Sequence, residues 1–133
     1  MRNNIGDYYT RESLEIIELK NIIVYAAIIV LFATIYFNNN KMKDKMGANP
    51  SLNSKQSHDL NVGISISSVI IISASIYICF KEYFLDKKFG YNLTGNELRI
   101  IAFGISLIST LILLHVVVTN YDSDESFGTE PIV

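Results

Sequence analysis

The chain has 133 residues, of which 50% are hydrophobic and 18% are charged, and its formal net charge is −2. A soluble chain of this length would form one domain, and no segment is basic enough to favour nucleic-acid binding. Cys79 is the single cysteine, which excludes an intrachain disulfide and a cysteine-based metal site.

Three apolar stretches without any Asp, Glu, Lys or Arg dominate the sequence, at 22–37, 62–80 and 100–119. A helix of about 18 or more apolar residues can cross the hydrocarbon core of a bilayer, which is roughly 30 Å thick. The second and third stretches meet that length, and the first reaches it when it is counted back to Leu19. The sequence therefore predicts an all-α fold, an integral membrane three-helix bundle with polar loops and tails. The predicted spans are about 19–37, 62–80 and 99–119.

An amphipathic helix at about 11–20 is predicted to precede the first span. Thr10 can cap this helix, and Glu12 and Glu15 lie in its first turns, where negative charge is favoured. We expect the helix to begin in the membrane interface and to continue directly into the first span.

The segment 38–61 is rich in Asn, Ser and Lys and contains Gly47 and Pro50, so it is predicted to be a polar loop. It is long for a connection between two helices. We therefore expect it to be disordered or to be held by something outside this chain.

An amphipathic extension at 81–89 is predicted after the second span, with Gly90 as a natural C-terminal stop. The next segment, Thr-Gly-Asn-Glu, matches a capping box in which Thr94 is the N-cap and Glu97 lies three positions further on. This motif predicts that the third helix begins near Gly95.

The distribution of Lys and Arg predicts how the spans are oriented. The side that holds the N-terminal segment and the second loop carries seven of these residues. The side that holds the loop 38–61 and the acidic tail 120–133 carries four. We therefore expect the N-terminus on the cytosolic side.

Small residues on the spans predict where helices pack, because helices in lipid attract one another mainly through close packing and polar contacts. The second span has two such faces on roughly opposite sides and the third has one, which favours a central position for the second span. Alternatively, one of these faces meets a different protein. The faces of the second span are Gly63, Ser67 and Ala74, and Ser65, Ser68 and Ser75 with Cys79; that of the third span is Ala102, Ser106 and Ser109.

His115 is the ionisable side chain that lies well inside a span, which makes it a candidate proton carrier or metal ligand. A proton path usually needs a second titratable group, and the three spans contain no acid. The alternative is a neutral histidine that is hydrogen-bonded to a serine or to a backbone carbonyl. The serines could likewise line a pore in an oligomer, or bond to their own helix or to a neighbouring one.

Motifs for catalysis and nucleotide binding, such as G-x-S-x-G, H-E-x-x-H and the phosphate-binding loop, are absent from the sequence. We therefore predict no catalytic residue, no cofactor, no metal and no small-molecule substrate. The sequence favours a non-enzymatic structural membrane protein that anchors or organises a larger assembly. Its predicted partners are the lipid bilayer and other protein subunits.

Two alternatives remain open. One is an oligomeric, viroporin-like channel or transport accessory protein, built on the serine faces and His115. The other is an accessory subunit of an energy-converting membrane complex.

The three short spans, the polar arms and the abundance of Ile and Asn together resemble the small membrane proteins of large DNA viruses with AT-rich genomes. This resemblance lies in layout and composition. It implies a location in the internal virion membrane beneath an icosahedral capsid, with minor capsid proteins as partners.

Overall fold

A computed structural model describes residues 4–119, and these residues form three α-helices. Helix α1 comprises Asn4–Lys45, α2 comprises Ser54–Lys88 and α3 comprises Thr94–Thr119. Each helix is long and apolar enough to cross a membrane. The predicted all-α fold with three membrane-spanning helices is therefore confirmed, and the architecture is that of an integral multi-pass membrane protein. The predicted acidic tail 120–133 lies outside the described residues.

Helix α1 has 42 residues and is therefore about 63 Å long, roughly twice the thickness of the hydrocarbon core. The helix predicted at 11–20 is continuous with the first span, as expected, and its location in the membrane interface stays a prediction. Its start is not at 11, however, because α1 begins at Asn4 and Thr10 lies inside the helix rather than at its N-cap. The added turns are stabilised by tertiary contacts, since the rings of Tyr8 and Tyr9 pack against Phe89 of α2.

The predicted polar loop 38–61 is much shorter in the structure, where residues 46–53 connect α1 to α2. Polar composition was a poor guide here, because Lys and Met are good helix formers. In addition, Lys43 and Lys45 lie in the last turn of α1, where positive charge is favoured.

A glycine ends α1. Gly47 has a φ of +75°, a conformation that costs a residue with a Cβ roughly 1 kcal/mol or more. The N–H of Ala48 donates to the carbonyl of Lys43 at 2.9 Å, and that of Gly47 donates to Asp44 at 3.2 Å. These two bonds satisfy carbonyls that the end of a helix would otherwise leave unpaired.

Asn53 caps the start of α2. Its Oδ1 accepts a hydrogen bond from the N–H of Gln56 at 2.8 Å, while Oε1 of Gln56 accepts one from the N–H of Asn53 at 3.1 Å. This is a reciprocal capping box, and it was not predicted. A further bond closes the connection, because Oδ1 of the buried Asn40 accepts from the N–H of Leu52 at 3.0 Å.

Helix α2 includes the predicted extension and ends before Gly90, which has a φ of +75°. The predicted stop at Gly90 is confirmed, and the end repeats the geometry found at Gly47. The N–H of Tyr91 donates to the carbonyl of Asp86 at 3.0 Å, and the N–H of Gly90 donates to that of Lys87 at 3.2 Å.

The predicted capping box at the start of α3 is wrong in its N-cap. The N–H of Glu97 donates to the carbonyl of Leu93 at 2.9 Å, so the first helical hydrogen bond begins one residue before Thr94. The side chain of Asn92 supplies the cap, since its Oδ1 accepts from the N–H of Thr94 at 3.0 Å. Asn92 replaces Thr94 as the capping residue because the side-chain carbonyl of Asn readily accepts a hydrogen bond from the backbone N–H two residues further on.

The chain divides into two compact units. The first unit is Met1–Ala27 with Ile70–Ile108, and the second is Ile28–Val69 with Ser109–Val133. Among the described residues of the first unit, the buried side chains are Ile16, Ile78, Cys79, Leu85 and Asn96. Among those of the second, they are Asn40 and Ser57.

Candidate functional site

Asp86, in the last turns of α2, connects all three helices within the first unit. Its Oδ1 accepts a hydrogen bond from the hydroxyl of Tyr9 on α1 at 2.9 Å. Its Oδ2 accepts one from Nδ2 of Asn96 on α3, also at 2.9 Å. We call these three residues the polar junction.

The position of Asp86 is unfavourable for the helix alone, because a negative charge near a helix C-terminus opposes the helix dipole. The two hydrogen bonds offset this effect, since a bond to a charged group contributes about 1.5–3 kcal/mol. Asn96 is buried, with 7% of its surface exposed. Without the carboxylate of Asp86, its amide would be left in a buried position without this acceptor.

Tyr9 lies ahead of the first uncharged stretch, near the aqueous end of α1. The carboxylate of Asp86 raises the pKa of the Tyr9 hydroxyl, because ionisation would remove the hydrogen bond that the hydroxyl donates. Partial burial and the negative charge of Asp86 act in the same direction. Tyr9 therefore stays protonated, as a hydrogen-bond donor, at neutral pH.

Aromatic rings surround the polar junction. The ring of Tyr9 meets that of Phe89 edge-on, with centroids 5.1 Å apart, and lies 5.2 Å from that of Tyr91. The Nζ atom of Lys88 lies 4.5 Å from the centroid of the Tyr8 ring, and Cζ of Arg11 lies 5.6 Å from the same ring. Such a mixture of rings and cations is typical of the layer between hydrocarbon and water.

An ion pair also connects α1 to α2. Nζ of Lys20 lies 2.9 Å from Oε1 of Glu82. Lys20 lies two residues before the first uncharged stretch, at the start of the predicted first span, and Glu82 lies two residues after the second stretch. Both charges therefore lie at a predicted membrane boundary. The side chain of Glu82 is 19% exposed and that of Lys20 is 45% exposed, so water screens the pair in part.

The predicted packing residues of the second span occupy mixed positions. Gly63 is exposed and Cys79 is buried, whereas the others are half-buried. Ser68 donates its hydroxyl hydrogen to the carbonyl of Ile64 and Ser75 donates to that of Ile71, both at 2.9 Å. These two serines therefore bond to their own helix, as one of the sequence interpretations has it. Their role in helix packing stays a prediction, as does that of the half-buried Ser65, Ser67 and Ala74.

The predicted packing face of the third span is exposed. Ala102, Ser106 and Ser109 all lie at the surface of α3, and the hydroxyl of Ser106 donates to the carbonyl of Ala102 at 3.0 Å. No residue in the most apolar 18-residue part of α3 is buried by the residues that the structure describes. This face is therefore accessible to lipid or to another protein.

His115 is also exposed on α3. Its backbone carbonyl accepts a hydrogen bond from the hydroxyl of Thr119 at 2.7 Å. Within residues 4–119, no group of three or more His, Cys, Asp or Glu side chains is arranged to hold a metal ion. A functional role for His115 stays a prediction.

The polar junction was not predicted from the sequence. Two signals for it were present: an acidic residue at the end of a helix, where the dipole disfavours it, and an asparagine in the first turn of the next helix. Neither signal names a partner, because the contact between Tyr9 and Asp86 joins residues 77 positions apart.

No family model matches the chain, and no curated protein and no solved structure is significantly similar to it. The polar junction and the exposed face of α3 are therefore the features from which a function can be proposed.

Proposed function

We propose that this protein is a non-enzymatic structural subunit that anchors or organises a larger assembly in a membrane. The observation that carries the proposal is the surface of α3, which exposes small and polar side chains in the middle of an apolar span. A span that contacted lipid all round would need no such residues.

Two parts of that surface suit another protein. Ala102, Ser106 and Ser109 form a face of small residues, which permits a second helix to approach closely. His115 lies about 150° away around the helix, at 3.6 residues per turn. An imidazole that faces hydrocarbon is unfavourable, whereas a polar group on a partner helix would satisfy it.

The polar junction supports the same role. It joins the ends of α1, α2 and α3 through the carboxylate of Asp86, and Asn96 lies in the first turn of α3. Fixing that end of α3 lowers the conformational entropy that a partner would have to remove on binding.

As the setting, we propose the internal membrane of a virion, with minor capsid proteins as partners and with the N-terminus on the cytosolic side. The layout of three short spans with polar arms, which resembles that of small membrane proteins of large DNA viruses, supports the location. The excess of Lys and Arg around the N-terminal segment and the second loop supports the orientation.

Photo-cross-linking in the native membrane tests the proposal. A photoreactive amino acid would replace Ser106 or His115 in turn, and Ile112, which is 58% exposed on the same helix, would serve as the matched control position. We expect discrete protein adducts from 106 or 115, identified by mass spectrometry, and lipid adducts from 112. Lipid adducts alone from all three positions would refute the proposal.

The identity of the adducts separates the remaining functions. Capsid proteins would support the virion setting, whereas subunits that carry cofactors would point to an energy-converting complex. Adducts between copies of this chain, together with a liposome conductance that falls in the His115→Ala variant, would instead establish a channel.

A further inference from the structure

An open cavity of about 420 Å³ lies between α1 and α2 in the first unit. Its volume is within the range typical of small-molecule sites, roughly 300–1,000 Å³. The cavity lies beside the polar junction and is not part of it, because neither Tyr9 nor Asn96 lines it.

The α2 wall of the cavity combines apolar side chains with two lysines. Tyr77, Phe80 and Phe84 form the apolar part, and each of these side chains is more than 40% exposed. Lys81 and Lys88 supply positive charge to the same wall. At about 100° per residue, these five residues lie within about 100° of one another around α2, so they form one continuous stripe.

The α1 wall consists of Tyr8, Glu12 and Ile16. The Nζ atom of Lys88 lies 4.5 Å from the centroid of the Tyr8 ring. Glu12 is the carboxylate among the lining residues, so the wall as a whole carries two cations and one anion. A ligand with one negative charge would complement it.

The position of the stripe in the sequence fixes its depth. The uncharged stretch of α2 ends at Phe80, and Lys81 is the first charged residue after it. Tyr77 and Phe80 therefore lie at the edge of the hydrocarbon, and Lys81 lies where the lipid headgroups begin. Lys88 is about 10 Å further along the helix axis, on a flexible stem that can reach back toward the headgroup layer.

We propose that this cavity binds an anionic phospholipid. The phosphate lies between Lys81 and Lys88, and the upper part of one acyl chain lies along Tyr77 and Phe80. Zwitterionic lipids place a choline or ethanolamine cation beside the same lysines, so they bind less tightly.

Lys81 is the residue that distinguishes a lipid site from the basic residues that are common at the C-terminus of a helix. Both Lys87 and Lys88 lie in the last turn of α2, where cations stabilise the helix dipole whether or not a ligand binds. Lys81 lies nearly two turns earlier, is half-buried and gains little from the dipole.

Native mass spectrometry of the full-length protein in detergent provides the test. The protein would be titrated with phosphatidylglycerol and with phosphatidylcholine of equal chain length, and the ratio of the two dissociation constants measured. An anionic lipid gains about fivefold in affinity from each nearby lysine. With two lysines we expect a preference for phosphatidylglycerol of about 25-fold, which Lys81→Gln lowers to about fivefold and which Lys81→Gln with Lys88→Gln abolishes.

Lys87→Gln is the matched control, because it removes the same charge from the same helix end but Lys87 does not line the cavity. The control should keep the preference. A loss in Lys87→Gln as large as that in Lys81→Gln would overturn the proposal, and so would equal binding of the two lipids by the unmodified protein. Circular dichroism would check that each variant keeps its helix content. If the double variant does not fold, the lipid preference of Lys81→Gln alone tests the proposal.

Two further arms identify the source of the phosphate. Inorganic phosphate at millimolar concentration should not displace the lipid, whereas displacement would show a site for the free anion. Phe80→Ala should weaken the binding of phosphatidylglycerol, because the acyl chain loses part of its wall. Unchanged binding in Phe80→Ala would refute the placement of the acyl chain.

Discussion

In the first unit, most buried side chains are apolar, and the contacts that hold them join residues far apart in the sequence. In the second unit, the buried side chains among the described residues are Asn40 and Ser57, and the hydrogen bond of Asn40 reaches only 12 residues along the chain, to Leu52. The hydrogen bond between Tyr9 and Asp86, in the first unit, joins residues 77 positions apart. The hydrogen bond of Asp86 to Tyr9 thus fixes helices that are distant in the sequence, whereas that of Asn40 fixes the connection that directly follows its own helix.

The comparison indicates which residues of a membrane-spanning chain determine how its helices pair. In hydrocarbon, an apolar side chain gains little by exchanging lipid for another apolar side chain. The segments that extend beyond the spans carry charged and aromatic groups instead, and these groups are selective in their partners. The polar junction lies in such segments, and the ion pair between Lys20 and Glu82 lies at the border between these segments and the spans.

Of the substitutions considered, Asp86→Ala should lower the free energy of unfolding most. The change removes two charge-assisted hydrogen bonds and leaves the buried amide of Asn96 without its acceptor. We expect the free energy of unfolding to fall by about 3 kcal/mol. Titration of the detergent-solubilised protein with dodecyl sulfate, followed by circular dichroism, would measure the loss.

Asp59→Ala is the control for that experiment, because Asp59 is an exposed aspartate on the same helix. It should change the unfolding free energy by less than about 0.5 kcal/mol. Equal losses in the two variants would mean that the polar junction contributes nothing beyond surface charge.

Asn40→Ala should produce the next largest effect, and it should be confined to the second unit. The variant leaves the N–H of Leu52 without the side-chain oxygen that accepts its hydrogen bond, which costs about 1–3 kcal/mol when the donor is buried. Hydrogen–deuterium exchange should accelerate in 46–53 and stay unchanged around Asp86. The exposed neighbour Asn38 provides the control, since Asn38→Ala should leave exchange in both regions unaltered.

The sequence predicted an all-α fold with three membrane-spanning helices, as the structure has it, because a run of some 18 uncharged apolar residues is long enough to cross a bilayer. It also predicted Gly90 as a helix end, since a positive φ at that position favours glycine. The loop 38–61 was overestimated, because its polar residues form helices once Asn53 and Gln56 cap α2. The polar junction could not be predicted, because pairing across 77 residues depends on how the helices pack.

Gly90→Ala and Gly47→Ala test whether the two units share the same helix-end physics. Both glycines have a φ of +75°, and an added Cβ would meet nothing within 4 Å at either position. The cost is therefore conformational, and we expect each variant to lose about 1 kcal/mol in the same unfolding titration. Gly95→Ala has equal space but helical geometry, so it should gain about 0.5 kcal/mol. A loss in all three variants would show that packing, not φ, controls these sites.

The ion pair between Lys20 and Glu82 should give the smallest effect, and its size tests how far the first unit depends on charge. Partly exposed pairs of this kind contribute about 0.5 kcal/mol in water. A double-mutant cycle with Lys20→Met and Glu82→Gln isolates the coupling energy, which we expect to fall as salt is raised, because screening weakens exposed charges. A coupling energy above about 2 kcal/mol that salt does not change would place the pair inside the hydrocarbon. The predicted boundary of the first span would then have to move toward the N-terminus.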